Sequence, residues 1–444
     1  MTIKERAYKK FKKSTFFNDV TNKETISSGI NQFGMLEIHK ELLKLEIDNE
    51  YALTTYAAPI GSRLLLDFIS YYENYFFKNI VCGTTYYLGM VSGATAGLHF
   101  IFDYFALKKY KSGIILGYSY TLFNMLADKY NFKVEVITSK IEDKVLPEIT
   151  IVEEAIKGKA VEFIILTEPQ NPSGEMYDLE SFTLLLRICK KYNCILLVDK
   201  CQRDEIELIR KEKYFSVNKL VYEEGACDNV IFINSLSKTK GVPGLRIGYV
   251  MAVREIIDYV TYLNTITYWH CNPLGTFLVM IDILYQLVYL EPEKKNIFLE
   301  YCKRNMRKYV GSVLVAKDLL RYIELNSIEI KAEKYCKDIL SRYDTILNNY
   351  KIVKEYAIKY GYAITELEGG FNFCIKYKGI YTQEKLKEYA SSNYSLEIFT
   401  QEDFCDVCRN DEREYWVRIS CAEEEDSFKK KFFDLCEIFA KNEI

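Results

Sequence analysis

From Tyr86 to Val253 the chain alternates short apolar runs with amphipathic segments, and no other feature narrows its fold as much. Strand-length runs joined by helix-length segments are the pattern of repeated βαβ units, in which the strands lie side by side in a largely parallel sheet. The expected strands are Tyr86–Met90, Gly113–Tyr118, Lys133–Thr138, Val161–Thr167, Cys194–Asp199, Asn229–Ser235 and Ile247–Ala252. Ligands of such sheets bind beyond the carboxyl ends of the strands, so chemistry is expected there. Phe277–Leu290 is the most apolar stretch, but it is too short to span a bilayer and contains Asp282, which makes it an expected buried helix. Beyond Glu291 the character changes to Lys/Glu/Tyr-rich helical stretches through about Ala357, followed by strand-like patches at Phe371–Tyr377 and Tyr415–Ser420. The expected division is a large domain over 50–290 and a small α+β domain from 291–444, to which the N-terminal segment 1–49 returns. No repeat or Pro/Gly-rich linker separates the two.

A chain of 444 residues with 49% hydrophobic content has material for a large core. Its 59 basic and 62 acidic residues nearly cancel to −3, so no whole-protein field points to nucleic acid, and a small molecule is the expected partner. The 13 cysteines are scattered, apart from Cys405 and Cys408, without metal-ligand spacing. They read as reduced thiols, and no metal site is expected. The basic N-terminal run (Lys4, Arg6, Lys9, Lys10, Lys12, Lys13) has no apolar segment after it, so a secretory signal is not expected. The expected location is the cytoplasm, with no membrane association.

The segment most suited to chemistry is Ser235-Leu236-Ser237-Lys238-Thr239-Lys240-Gly241-Val242-Pro243-Gly244-Leu245-Arg246-Ile247-Gly248, between two expected strands and with glycines that let backbone approach a ligand. A loop lysine near a solvated arginine is the bland alternative, and it leaves the serines and the glycines unexplained. Thr167-Glu168-Pro169-Gln170-Asn171-Pro172-Ser173-Gly174 follows an apolar strand with turn chemistry that is common in isolation. Ile195-Leu196-Leu197-Val198-Asp199 is a buried strand ending in an acid, where a helix cap is the competing role. Ser92-Gly93-Ala94-Thr95-Ala96-Gly97 opens a helix after a strand, and backbone N–H groups at such a start attract anions; packing of small residues is the alternative. Tyr120 and Phe123 add aromatic faces, Val417-Arg418-Ile419-Ser420 an arginine in a strand, and Gly369-Gly370-Phe371-Asn372 a polar group before one.

In this order the islands resemble the class I/II aminotransferases, pyridoxal 5′-phosphate enzymes of fold type I, and the resemblance runs from about Tyr56 to Ser420. It implies an α/β fold with a mainly parallel seven-stranded sheet in the large domain, a smaller α+β domain, and pyridoxal 5′-phosphate as cofactor. It further implies that Lys238 forms an imine to the cofactor and carries a proton at the substrate α-carbon. Asp199 would pair with the pyridine nitrogen, and Asn171 would reach the ring oxygen. Gly93, Ala94, Thr95, Ser235, Ser237 and Arg246 would surround the phosphate, with Arg246 as a charged fork. Tyr120 would stack on the ring. Arg418 would grip the substrate carboxylate, with Asn372 lining the pocket. Tyr56, in Tyr56-Ala57-Ala58-Pro59-Ile60-Gly61, and the Cys271-Asn272-Pro273 loop resemble segments that serve the other subunit, which implies a homodimer with shared active sites.

The chain departs from the pattern after Asp199, where Glu-x-Tyr is usual and Lys200-Cys201-Gln202-Arg203-Asp204 stands instead. Gln202 takes the tyrosine's place by donating an amide hydrogen, without a phenol proton, so the imine's acidity and the step after deprotonation are expected to differ. Lys200 and Arg203 either serve an acidic substrate group or pair with Asp204 and Glu205. No arginine stands near Thr267 and Tyr268, so a dicarboxylate substrate is not supported. Three readings follow: an aminotransferase exchanging amino and keto acids; another reaction on the same cofactor, such as decarboxylation, elimination, cyclisation or oxidation; and a non-catalytic regulatory protein on the same scaffold.

Overall fold

The computed structural model describes residues 24–49, 51–54, 56–76, 86–202, 217–308, 321–323, 327–405 and 413–441. Its strands in chain order are β1 (Glu24–Thr25), β2 (Tyr87–Ser92), β3 (Ser112–Leu116), β4 (Lys133–Ile137), β5 (Phe163–Thr167), β6 (Ile195–Asp199), β7 (Val230–Ser235), β8 (Ile247–Ala252), β9 (Asn372–Lys378), β10 (Leu396–Glu397), β11 (Phe399–Thr400) and β12 (Glu414–Ser420). Strands β2 to β8 form a seven-stranded sheet in the order β2-β8-β7-β6-β5-β3-β4. All seven coincide with the expected apolar runs to within two residues at each end.

The burial of each strand follows its place in the sheet. β5 is Phe-Ile-Ile-Leu-Thr and buried at every residue, as a strand covered on both faces must be. β4, at the sheet's edge, reads Lys-Val-Glu-Val-Ile and exposes Lys133 and Glu135, charges that keep a free edge from pairing with another chain. The pairs β3–β4, β3–β5 and β6–β7 are parallel. β8 runs antiparallel to both β7 and β2. The connection after β7 explains this reversal: it holds one turn of α-helix, Leu236–Thr239, and one 3₁₀ turn, Pro243–Leu245, too little for a crossover.

The chain divides into two compact units. One combines Phe33–Tyr104 with Asp178–Asp344. Within it the helix Thr276–Leu290 is buried along nearly its whole length, as its apolar sequence requires. Glu46 caps its start, accepting from the N–H groups of Gly275 (2.6 Å) and Phe277 (2.9 Å). The helix Leu179–Tyr192 begins at Asp178, whose carboxylate accepts from the Ser181 N–H at 2.7 Å, and ends at Asn193 in the left-handed conformation. The charge on the buried helix is matched inside the unit: Asp282 pairs with Lys240 at 3.2 Å and accepts from Gln286 (3.0 Å) and from the Tyr335 hydroxyl. His39 completes the group, with Nε2 3.1 Å from the Tyr335 oxygen.

The other unit combines the described part of Met1–Gln32 with Phe105–Tyr177 and Thr345–Ile444. Its own sheet has the order β11-β12-β9, all antiparallel, with Arg418 opposite Cys374 on one side and Phe399 on the other. The early segment also enters this unit, where β1 pairs in parallel with β10.

His39 gives a pH-dependent component of stability. Burial lowers its pKa from 6.5 to about 4, outweighing the attraction of Asp282. Between these values the unfolded chain takes up a proton that the folded one refuses, so stability is full above about pH 6.5 and lost toward pH 4. His39→Asn is expected to remove about 2 kcal/mol of the acid loss by pH 5. The check is the melting temperature of both proteins at pH 7.5 and pH 5, where wild type should fall further.

Candidate active site

In the unit containing Phe33–Tyr104 and Asp178–Asp344, the strand ends gather the residues around Lys238. Register places Ser235 opposite Gly248 and Ser92 opposite Ile247, so the ends of β7, β8 and β2 meet. Ser235 is buried and caps the one-turn helix that carries Lys238, accepting from the Ser237 N–H at 3.1 Å. Its hydroxyl lies 2.9 Å from Ser237 Oγ and 3.1 Å from the Ile247 carbonyl. Lys238 itself is half-buried.

Arg246 is half-buried and donates to two carbonyls, Pro243 at 3.1 Å and Ser92 at 3.4 Å. Among the described residues no carboxylate pairs with it, so its charge is left for an anion. The neighbouring Gly93 begins the helix Gly93–Leu107 at φ +73°, and a Cβ there would sit 2.5 Å from Arg246 Nη2. Glycine therefore keeps open the space between the helix start and the guanidinium. The Tyr268 ring, stacked on Phe100, closes this corner, its hydroxyl accepting from the Ser92 N–H at 3.4 Å.

Asp199 ends β6 and is buried. Burial pushes its carboxyl upward, while hydrogen bonds from Cys201 and the positive charge of Lys238 pull the other way. The backbone bond from Cys201 to Asp199 Oδ1 is 2.9 Å. Gln202 is buried as well. Lys200 is also buried, donating to Asn218 Oδ1 at 3.3 Å with its ammonium 5.4 Å from the centre of the Phe232 ring. Arg203, Asp204 and Glu205 lie outside the described residues, as do Cys408 and the basic run at Lys4–Lys13.

A second group forms in the other unit. Arg418 on β12 is buried, donates Nη1 to Asn171 Oδ1 at 3.2 Å and Nη2 to the Ser27 carbonyl, and lies between the rings of Phe399 (5.3 Å) and Phe404 (4.8 Å). Asn171 Oδ1 also accepts from Asn372 Nδ2 at 3.4 Å, and Asn372 Oδ1 accepts from the Ser420 hydroxyl at 2.7 Å. The structure thus brings Asn171, Asn372 and Arg418 together, and with Oδ1 committed twice the Asn171 amide presents Nδ2 as its donor. Gly29, at φ +58°, passes so close that a Cβ would lie 2.8 Å from Arg418 Nη1. Burial pulls the Arg418 pKa down to about 10, Nε has no hydrogen-bond partner, and among the described residues no carboxylate pairs with the group. A buried guanidinium with an unmet donor has the chemistry to accept a carboxylate.

The remaining sequence candidates fall at surfaces. Tyr120 is 43% exposed, with its ring edge-on to the buried Phe123. Tyr56 is 81% exposed, edge-on to His270 at 5.6 Å. Ala94 is half-buried and Thr95 exposed. Sequence reasoning missed Ser27, Gly29, Phe399, Phe404 and Tyr268. Ser27-Ser28-Gly29 reads as an ordinary turn, and its only signal is the glycine. Among the described residues no cluster of His, Cys, Asp or Glu is placed to hold a metal ion, and no helix is long and apolar enough to cross a membrane.

A lysine just beyond a strand end, a buried carboxylate and an anion corner on a mainly parallel sheet fit the fold-type I scaffold. The family model for aminotransferase class I and II matches residues 28–285, and the chain belongs to that family, whose members depend on pyridoxal phosphate. It is 25% identical over 181 residues to the aspartate aminotransferase of Thermotoga maritima, which is 40% of this chain and 46% of that one. A probable aspartate aminotransferase of Methanocaldococcus jannaschii is 31% identical over 119 residues, 27% of this chain and 29% of the relative. The matched stretches span less than half the length of these curated relatives. In fold, the aromatic aminotransferase from Pyrococcus horikoshii superposes with a TM-score of 0.70 at 17% identity, covering 95% of this chain and 97% of that one.

The residues present fit the cofactor: an amine to attach it, a buried carboxylate for its ring nitrogen, and an unmatched guanidinium beside a glycine for its phosphate. Gly93→Ala is expected to weaken pyridoxal phosphate binding about tenfold, because the side chain both enters the left-handed region and displaces Arg246. Fluorescence titration of the apoprotein with the cofactor measures this.

Proposed function

We propose that this protein is a pyridoxal phosphate-dependent aminotransferase that takes an amino acid and a keto acid as substrates. The observation that carries the reading is the buried Arg418, whose carboxylate-shaped fork lacks an internal carboxylate. Arg418 holds the substrate α-carboxylate, with Phe399 and Phe404 excluding water and Asn171 fixing the angle of the fork. Lys238 would hold the cofactor through Nζ, and its amine would carry a proton at the substrate α-carbon. Asp199 keeps the ring nitrogen protonated, while Ser235, Ser237, Arg246 and the backbone of Gly93, Ala94 and Thr95 hold the phosphate. Asn171 Nδ2 and Gln202 are the donors assigned to the ring oxygen, and Tyr120 supplies the stacking face. When bound, the cofactor supplies an electron sink for the bond broken at the α-carbon. Asn372 orients Asn171 and borders the carboxylate site.

The exposed Tyr56 supports a homodimer in which this ring serves the second copy. A cytoplasmic location is part of the same reading, supported by described cysteines that are all free thiols.

One observation favours a second reading on the same cofactor, such as decarboxylation or elimination: the buried Gln202 stands where a phenol is usual. The test is to mix holoenzyme with single amino acids and no acceptor. Release of one equivalent of keto acid per subunit, resuming on addition of a second keto acid, is the expected result. Continuous product without acceptor would replace the transaminase reading by the second.

Two substitutions probe the residues. Lys238→Ala is expected to abolish the visible absorbance of bound cofactor and activity with it. Arg418→Lys keeps the charge but loses the fork, and kcat/KM for the amino acid should fall about 100-fold in steady-state assays, roughly two charge-assisted hydrogen bonds.

A further inference from the structure

Asp199 and Ser235 end neighbouring parallel strands, and the backbone of Lys200 donates across to the Ile233 carbonyl at 2.8 Å. Under the proposed function these two residues hold opposite ends of the cofactor, ring nitrogen and phosphate. Beneath them runs a continuous line of side-chain hydrogen bonds. Lys200 Nζ donates to Asn218 Oδ1 (3.3 Å), and Asn218 Nδ2 donates to Glu73 Oε2 (2.7 Å). Tyr249 donates its hydroxyl to Glu73 Oε1 (2.7 Å) and accepts from Asn234 Nδ2 (2.9 Å). Asn234 Oδ1 in turn accepts from the Ser235 N–H at 2.7 Å.

The line starts one residue after Asp199 and finishes on the backbone of Ser235, drawing on β6, β7, β8, the helix Arg63–Phe76 and the helix Val217–Glu223. Lys200, Asn218, Glu73 and Tyr249 are all buried. An ammonium and a carboxylate are thus withdrawn from water and linked through one amide. Such groups cost more to bury than apolar ones, and a common return for the cost is fixed geometry. Glu73 is used at both oxygens, so the two halves of the line cannot shift independently.

We propose that Lys200, Asn218, Glu73 and Tyr249 are positioning residues that fix the separation between Asp199 and Ser235, and so hold the cofactor's ring and phosphate anchors in register. The proposal rests on the cofactor reading above. It gives the lysine after Asp199, where the family pattern has a glutamate, an internal task in place of a substrate contact.

The test compares Glu73→Gln, Lys200→Met and the double variant by cofactor titration of the apoprotein, by the absorbance band of the bound cofactor across pH, and by melting temperature. Glu73→Gln removes the carboxylate that joins the two halves of the line and is expected to raise the dissociation constant for pyridoxal phosphate about tenfold and to move the pH profile of the band. The double variant should recover part of that loss. Tyr249→Phe removes only the hydroxyl link and should give a smaller rise in the same direction, which keeps the test open if Glu73→Gln does not fold. Glu423→Gln is the control: it breaks a buried pair with Lys431 (2.5 Å) in the other unit and should lower the melting temperature without changing cofactor affinity. If the Glu73, Lys200 and Tyr249 variants lower only the melting temperature, the positioning proposal is overturned while the function stands. If wild type itself fails to bind pyridoxal phosphate, the function falls first and the positioning proposal with it.

Discussion

The antiparallel return of β8 between β7 and β2 is the constraint on which the cofactor-side residues depend. A crossover helix after β7 would carry the chain away from the strand ends. The short connection here turns back at once and leaves its residues at the strand ends. Lys238 rides the single helical turn, Arg246 stands just before the returning strand, and the pairing of β8 with β2 brings Ser92 and Gly93 to that arginine. Three pieces of chain far apart in sequence become one anion corner because one strand reverses.

Buried charge sorts the interior into two kinds of group. Lys240 with Asp282 and Lys431 with Glu423 are matched inside the fold, so their electrostatics are closed and their work is structural. Arg418 is equally buried, yet its partners are a carbonyl, an amide oxygen and two ring faces, none of which cancels its charge. Under the proposed function an external carboxylate offsets that cost, a task that a surface arginine in a strand would not need burial to perform.

The sheet was legible because its strands are continuous apolar runs, a pattern forced on any strand covered on both faces. Strand direction was less so: the run at Ile247–Ala252 has the same pattern whether it lies parallel or antiparallel, and only the brevity of residues 236–246 decides. Lys238, Asp199 and Arg246 stand out in the sequence because short local motifs hold them, and the structure places all three at or next to strand ends. The surroundings of Arg418 do not stand out, since Ser27 and Gly29 meet it across most of the chain's length and local sequence carries no trace of that pairing. For Lys200 the sequence offers two tasks, an acidic substrate group or a pair with Asp204 and Glu205. Its burial against Phe232 and Asn218 depends on helices and strands that periodicity places but does not dock.

The departure after Asp199 is then better understood as a rebuilt support than as a missing part. Cys201 donates its backbone N–H to Asp199, and its side chain adds a second hydrogen bond that lowers the carboxyl against the pull of burial. Lys200 turns inward to the line ending at Ser235, and Gln202 is buried too. Cys201 thus serves the carboxylate, and Lys200 the strand end that bears it. An amide in place of a phenol offers donors without an acidic proton, so under the proposed function the balance of proton transfer shifts toward Lys238. Under the same reading the substrate carboxylate falls to the group around Arg418, whose aromatic neighbours are Phe399 and Phe404.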